Sequence, residues 1–251
     1  MSDKRLDAFK RLLDVMDDLR EKCPWDREQT IDSIRHLTIE ETYELSDAIL
    51  SGDLNEVKKE LGDLALHLVF YAKIASETND FDIADVLNGI CEKLIHRHPH
   101  IYGDVKADTA DAVKKNWEQI KQMESKGKKS VLSGVPKSMP SLVKAMRMQD
   151  KAAQVGFDWP NSTQVWDKVE EEIEEFKTAN DAEKEAEFGD ILFSLVNYAR
   201  WNNINPDDAL EATNIKFKQR FEAIETHAKQ KQIKLESMSL EEMDVVWNKA
   251  K

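Results

Sequence analysis

The chain has only two cysteines in 251 residues, Cys23 and Cys91. Two are too few for a disulfide framework, so packing must hold the fold together. No stretch approaches a membrane span, because the richest apolar segment, Leu64 to Ala72, is interrupted by His67. The opening MSDKRLDAF lacks an apolar signal region, and a cytoplasmic protein is expected. Positive charge is in deficit: 36 Lys+Arg against 49 Asp+Glu give a net charge of -13. That balance argues against nonspecific binding to nucleic-acid polymers or anionic membranes. A polyanionic ligand would have to be small and met by metal and local cations. Alternating strand-like segments are scarce as well.

What is present is helical periodicity. Leu6, Phe9, Leu12, Leu13, Met16 and Leu19 mark one face, and Ile191, Leu192, Leu195, Val196 and Ala199 another. The chain therefore reads as all-α. Its 41% hydrophobic content suffices for a core in each of two small domains.

An acidic constellation is written twice: Glu40, Glu41, Glu44, Glu60 and Asp63, then Glu171, Glu172, Glu175, Glu187 and Asp190. Glu41/Glu44, Glu60/Asp63, Glu172/Glu175 and Glu187/Asp190 are each three apart, a spacing that puts both carboxylates on one helix face. In the first half the four positions are symmetric about Gly52. Gly52 suits a helix C-cap, and Asp53 with Glu56 an N-cap. Glu44 is thus expected to face Glu60, and Glu41 to face Asp63. The second half repeats this about Asp181, with Asn180 and Glu183 as capping pair. Carboxylates about 5 Å apart at an effective dielectric near 20 repel by roughly 3 kcal/mol per pair. A bound cation would offset that repulsion, and oxygen ligands without His or Cys favour magnesium, with manganese as substitute.

Taken alone, either cluster reads as a solvated helix face complementing a helix dipole. Phase argues otherwise, because Glu172 borders the Val169/Ile173/Phe176 stripe and Glu41 borders Leu45/Ala48/Ile49. The repetition also extends beyond the acids. Setting Glu172 on Glu41 and Asp190 on Asp63 brings Gly189 onto Gly62, and small gaps then match Lys216 and Arg220 with Lys93 and Arg97, and Trp247 with Trp117. Gly inside a helix costs roughly 1 kcal/mol relative to Ala. Close helix packing is the expected reason for Gly62 and Gly189, with room for a ligand as the alternative. Lys93/Arg97 and Lys216/Arg220 each share a helix face and suit phosphate oxygens. Trp117 and Trp247 suit either a core or a stacking surface for a base. His96, His98 and His100 look like a metal cluster, but Pro99 breaks the helical spacing, so structural or phosphate-facing roles are expected. The expected boundaries are 1–121 and 140–251 for two domains, with the Gly-, Pro- and Lys-rich stretch 122–139 as linker.

With Glu-Glu-x-x-Glu and Glu-x-Gly-Asp in each half, CPWD at Cys23 to Asp26, RHPH at Arg97 to His100 and GFDW at Gly156 to Trp159, the sequence closely resembles the MazG family. These are bacterial nucleoside triphosphate pyrophosphohydrolases of the all-α NTP pyrophosphatase superfamily. The resemblance implies a tandem of helical-bundle domains, a homodimer, and magnesium-dependent cleavage of nucleoside triphosphates to monophosphate and pyrophosphate. It places the metal ligands on Glu172, Glu175, Glu187 and Asp190, and nucleotide contacts on Lys168, the Lys216 to Arg220 segment and Trp247. Metal would polarise the α-phosphate, activate water and neutralise the leaving pyrophosphate, while Lys168, Lys216 and Arg220 stabilise the growing charge. Glu171 is a candidate water-orienting base, and Lys184 a further phosphate candidate.

The halves are not equivalent. Lys168, Asn197 and Asn214 are replaced in the first half by Leu37, Phe70 and Cys91. The first half keeps its acids, Glu41, Glu44, Glu60 and Asp63, but loses polar groups around them. Catalysis and substrate binding, Asn197 included, are therefore expected in the second half, with the first as a weaker or inactive set. A carboxylate-bridged di-iron bundle would require Glu-x-x-His pairs, and the chain has none. The alternative outside enzymes is an acidic helical scaffold or regulator that binds nucleotide without turnover.

Overall fold

The computed structural model describes residues 3–107, 109, 112–113, 116–117, 120 and 130–250, which include no strand. The fold is all-α. Contacts divide the chain into two compact units, Met1–Glu124 and Ser125–Lys251. No helix among the described residues is long and apolar enough to cross a membrane.

In the first unit α1 (Lys4–Lys22), α2 (Pro24–Glu28), α3 (Ile31–Ser51), α4 (Leu54–Glu77), α5 (Ile83–Arg97) and α6 (Pro99–Tyr102) follow one another. The turn between α3 and α4 forms as its residues dictate. Gly52 takes the left-handed conformation at φ 74° that closes α3, and the Asp53 carboxylate accepts from the backbone N–H groups of Asn55 and Glu56 to open α4. At the start of α3, Thr30 and Ser33 form a reciprocal capping box. Met16, Ile34, Val69 and Phe70 make the core, with Phe9, Leu12, Leu13 and Leu37 packed against it. Fully burying a side chain of this kind contributes about 1.5–3 kcal/mol. Arg20 from α1 pairs with Glu77 at 2.5 Å and donates to the carbonyls of Asp26 and Gln29, which fixes the segment entering α3.

In the second unit a 3-10 turn (Val131–Gly134) precedes α7 (Ser141–Gln154), α8 (Ser162–Thr178), α9 (Lys184–Trp201) and α10 (Pro206–Lys231). A further 3-10 turn (Leu235–Ser237) leads into α11 (Leu240–Lys249). Lys151 donates to the Val131 carbonyl at 3.1 Å, tying the first turn to α7. Residues 122–129 of the expected linker lie outside the described residues. Asn180 and Glu183 meet in the turn between α8 and α9, where the Glu183 carboxylate accepts from the Asn180 N–H and the Asn180 side chain accepts from Ala182. Val165, Val169 and Val196 are buried along this hairpin. Ile224, Ala228 and Met238 form a second small core, with Trp247 packed against it.

The apolar faces are broader than the units cover. Leu6, Ile49, Leu192 and Leu195 were expected inside and are 40–68% exposed. A stripe fixes which side of a helix is apolar, but not whether the same chain supplies the cover.

Candidate metal centre and adjoining cavity

Each hairpin gathers three of its four expected carboxylates. Ligand oxygens of Glu41, Glu60 and Asp63 lie within 4.8 Å of one another, and so do those of Glu172, Glu187 and Asp190. Glu60 and Glu172 are the buried members. The expected rungs therefore contract: Glu41 reaches Glu60 as well as Asp63, while Glu44 and Glu175 stay outside the closest group. Packed helices cross at an angle, so residues spaced along both cannot all meet at one point. The outer pair still act through their charge. Partial burial, then Asp63, Glu44 and Glu60, hold the Glu41 carboxyl above its ordinary range.

Different lysines balance the two clusters. In the second unit Lys168 lies 2.8 Å from both Glu171 and Glu172, and these acids raise its pKa. In the first unit Lys59 lies 3.0 Å from Glu60 and 3.5 Å from Glu56. Lys59 has no counterpart in the second half, where Ala186 takes its place, just as Leu37 takes the place of Lys168. The other Glu60 oxygen, Oε2, is buried without a hydrogen-bond partner. An orphaned acceptor costs about 1–3 kcal/mol, and a cation held by this all-oxygen set would satisfy it.

Glu187 yields a prediction about pH. Its carboxyl is held above the ordinary glutamate range by partial burial first, then by Glu175, Asp190 and Glu172. The folded protein then binds this proton more readily than the unfolded chain, so ionisation at this position destabilises the fold. In chelator at neutral pH, Glu187→Gln should be more stable than the wild type. The difference should close as pH falls through the raised value towards the ordinary one. Thermal denaturation across that range is the check, and a pH-independent difference would remove the assigned cause.

A cavity of about 600 Å³ adjoins the second cluster, with Lys168, Glu172, Asp190 and Asn197 in its wall. Of the expected site residues, Glu171, Glu175, Lys184, Glu187, Lys216, Arg220 and Trp247 are not part of that wall. Lys184 is exposed and lies 3.5 Å from Asp181. Arg220 lies over the Trp247 ring at 5.3 Å, and Phe217 meets the same ring edge-on. The first unit repeats this pairing, with Arg97 over Trp117 at 5.2 Å. The His98 and His100 rings lie 5.5 Å apart and His98 Nδ1 lies 2.6 Å from the Leu94 carbonyl oxygen, but no group of three metal ligands that includes a histidine occurs among the described residues.

Sequence reasoning missed much of the wall. Gln149, Asp158, Trp159, Ser194 and Arg200 line it. Asp158 binds Arg200 at 2.5 Å and accepts from the Trp201 indole at 3.1 Å, so the GFDW segment is pinned to α9. Burial raises the Asp158 pKa, but Arg200 and the Trp159 N–H outweigh it and bring the carboxyl below its usual range. In the first unit Phe70 and Leu37 are core residues where Asn197 and Lys168 border the cavity. The close packing expected at Gly62 and Gly189 is not found among the described residues of the chain, where a Cβ at either position would meet nothing within 4 Å. The space beside these glycines is open within the chain.

Fold and site together define an all-helical protein with paired carboxylate clusters able to hold a metal, one of them beside a cavity of nucleoside size. A family model for the MazG nucleotide pyrophosphohydrolase domain matches residues 29–102. The nucleoside triphosphate pyrophosphohydrolase/pyrophosphatase MazG of Thermotoga maritima is 43% identical over 247 residues, covering 97% of this chain and 95% of the relative. The nucleoside triphosphate pyrophosphohydrolase of Escherichia coli K12 is 40% identical over 257 residues, covering 98% of each. The uncharacterized protein YabN of Bacillus subtilis is 45% identical over 235 residues, which are 91% of this chain but 48% of that protein. The chain belongs to the MazG family.

Proposed function

We propose that the chain hydrolyses nucleoside triphosphates to the monophosphate and diphosphate in the cytoplasm, at the second unit, with magnesium held by Glu172, Glu175, Glu187 and Asp190. The observation that carries the reading is the juxtaposition of an acid cluster, a lysine and a nucleoside-sized cavity in one wall. The names of the Thermotoga and Escherichia relatives support the reaction class. When bound, magnesium supplies polarisation of the α-phosphate and charge neutralisation for the departing diphosphate, and manganese can replace it.

The chain's own groups do the rest. Lys168 is held by Glu171 and Glu172, and with a cation on Glu172 its ammonium would be free to meet phosphate oxygens. Lys216 and Arg220 share one face of α10 and add cationic hydrogen bonds to the polyphosphate. Glu171 is exposed beside Lys168 and orients the attacking water, Asn197 positions the nucleoside, and Lys184 is an outer phosphate contact. Trp247 offers its ring edge to the nucleotide, with Arg220 held against its face.

The same proposal takes 1–121 and 140–251 as diverged copies of one module, joined by 122–139. The repeated acid spacing and the Arg-over-Trp pairs support it. Glu41, Glu44, Glu60 and Asp63 are then a second metal set without the surrounding polar groups. A homodimer is proposed as well, because Ile49, Leu54, Leu61 and Leu68 in one hairpin and Phe188, Leu192 and Leu195 in the other are exposed. A second copy would cover them, and the open space at Gly62 and Gly189 suits a ligand or that partner.

The test is product analysis with magnesium across a panel of nucleoside triphosphates. Monophosphate with diphosphate is expected. Diphosphonucleoside with free phosphate would move the cleaved bond, and binding without turnover would leave a nucleotide-binding regulator.

A further inference from the structure

The cavity wall holds a polar group that the fold leaves unused. Gln149 on α7 is 7% exposed, and its Nε2 donates to the main-chain carbonyl of Phe193 at 2.9 Å. A carbonyl can only accept, so the amide must present nitrogen to it, and Oε1 is turned away. That Oε1 is buried and has no partner. Buried side-chain acceptors are nearly always satisfied, and one left open in a cavity wall calls for a donor from a ligand.

The character of the wall says which donor. Met148, Trp159 and Phe193 give it apolar and aromatic surface, and Lys168, Glu172 and Asp190 give it charge. Polyphosphate belongs with the lysine and the acids. A flat, partly polar ring belongs with the aromatic side chains, whose faces can stack on it. A second amide is also fixed there. Asn197 Oδ1 accepts from Arg200 Nε at 3.1 Å and Nη2 at 2.9 Å, and Asp158 holds that guanidinium. Asn197 is thereby oriented with Nδ2 as its open donor. An acceptor and a donor in one wall complement the two kinds of group, N–H and lone pair, that the edge of a nucleobase carries.

We infer that Gln149 is the acceptor that reads the N–H edge of the substrate's nucleobase in this cavity. The inference rests on the nucleotide reading of the site. Oε1 is closed to solvent, so the base reaches it by displacing wall side chains. Gln149 thus determines specificity and affinity, while the chemistry stays with the acids and lysines.

The test is calorimetric binding of α,β-methylene nucleoside triphosphates, and of base-free methylene triphosphate, to the full chain in magnesium. The wild type should bind the base-containing ligands more tightly than the base-free one. Gln149→Met should weaken the base-containing ligands about 10- to 100-fold, the loss expected for one buried hydrogen bond, and leave the base-free ligand unchanged. In turnover the same variant should raise KM with little change in kcat. A ligand-side measurement covers the case in which the variant folds poorly: methylating the N–H edge of the tightest base should weaken binding to the wild type by a similar factor. Equal weakening of base-free and base-containing ligands would overturn the inference, as would indifference of the wild type to the base or to its methylation. Intact base discrimination without hydrolysis would instead sink the pyrophosphohydrolase reading and leave Gln149 in place.

Discussion

Exchanging Glu172 and Glu175 for glutamine together should lower the initial rate of diphosphate release by at least about 10²-fold, while Glu41→Gln with Glu44→Gln should leave most of it. The contrast does not come from the acids, since in each unit three of them lie within 4.8 Å of one another. It comes from what stands beside them. Next to Glu172 are Lys168 and a cavity, whereas the matching positions of the first unit carry Phe70, in the core, and Leu37, packed against it. Removing one electrostatic contact to a transition state commonly costs 10²- to 10³-fold, and two metal ligands should cost at least that. Equal losses from the two double variants at saturating magnesium would show that the active unit is misassigned.

Removing the metal should have a comparable effect. Chelator should abolish turnover, and magnesium or manganese should restore it. The cation should also act on stability, because it binds the folded carboxylate cluster and not the dispersed acids of the unfolded chain. At a free concentration 100 times its dissociation constant, a ligand of the folded state adds about 2.7 kcal/mol. Melting temperature should therefore rise with magnesium. Glu172→Gln and Asp190→Asn should lose turnover and part of that rise, yet keep their helical circular dichroism. Full activity in chelator would end the metal reading, and collapse of the fold in both variants would make these residues structural.

The sequence showed what depends on local period and cap chemistry. Three-residue spacing placed carboxylates on one helix face, and Gly52 and Asp53 placed the turn that brings two such faces together. Features that depend on a partner elsewhere in the chain stayed hidden. Gln149 is an ordinary polar residue until the Phe193 carbonyl, 44 residues on, takes its nitrogen and strands its oxygen. Asp158 could be quoted within GFDW without revealing that Arg200 and Trp201 hold it. Lys59 was overlooked because the register left it unmatched, yet it is the cation beside Glu60. Gly62 and Gly189 were not legible for the converse reason, since sequence cannot distinguish a missing side chain that admits a neighbour from one that leaves a gap.

The exchange of Phe70 for Asn197 at matching positions has an evolutionary consequence. The buried ring of Phe70 stabilises the first unit at this position, whereas Asn197 borders an opening and should contribute less to the stability of the second. Most substitutions destabilise, and tolerance of them depends on the distance from the threshold of folding. Drift should therefore accumulate more freely in the first unit. The second should be purged more strictly, and innovations in substrate range should arise there only together with compensating mutations.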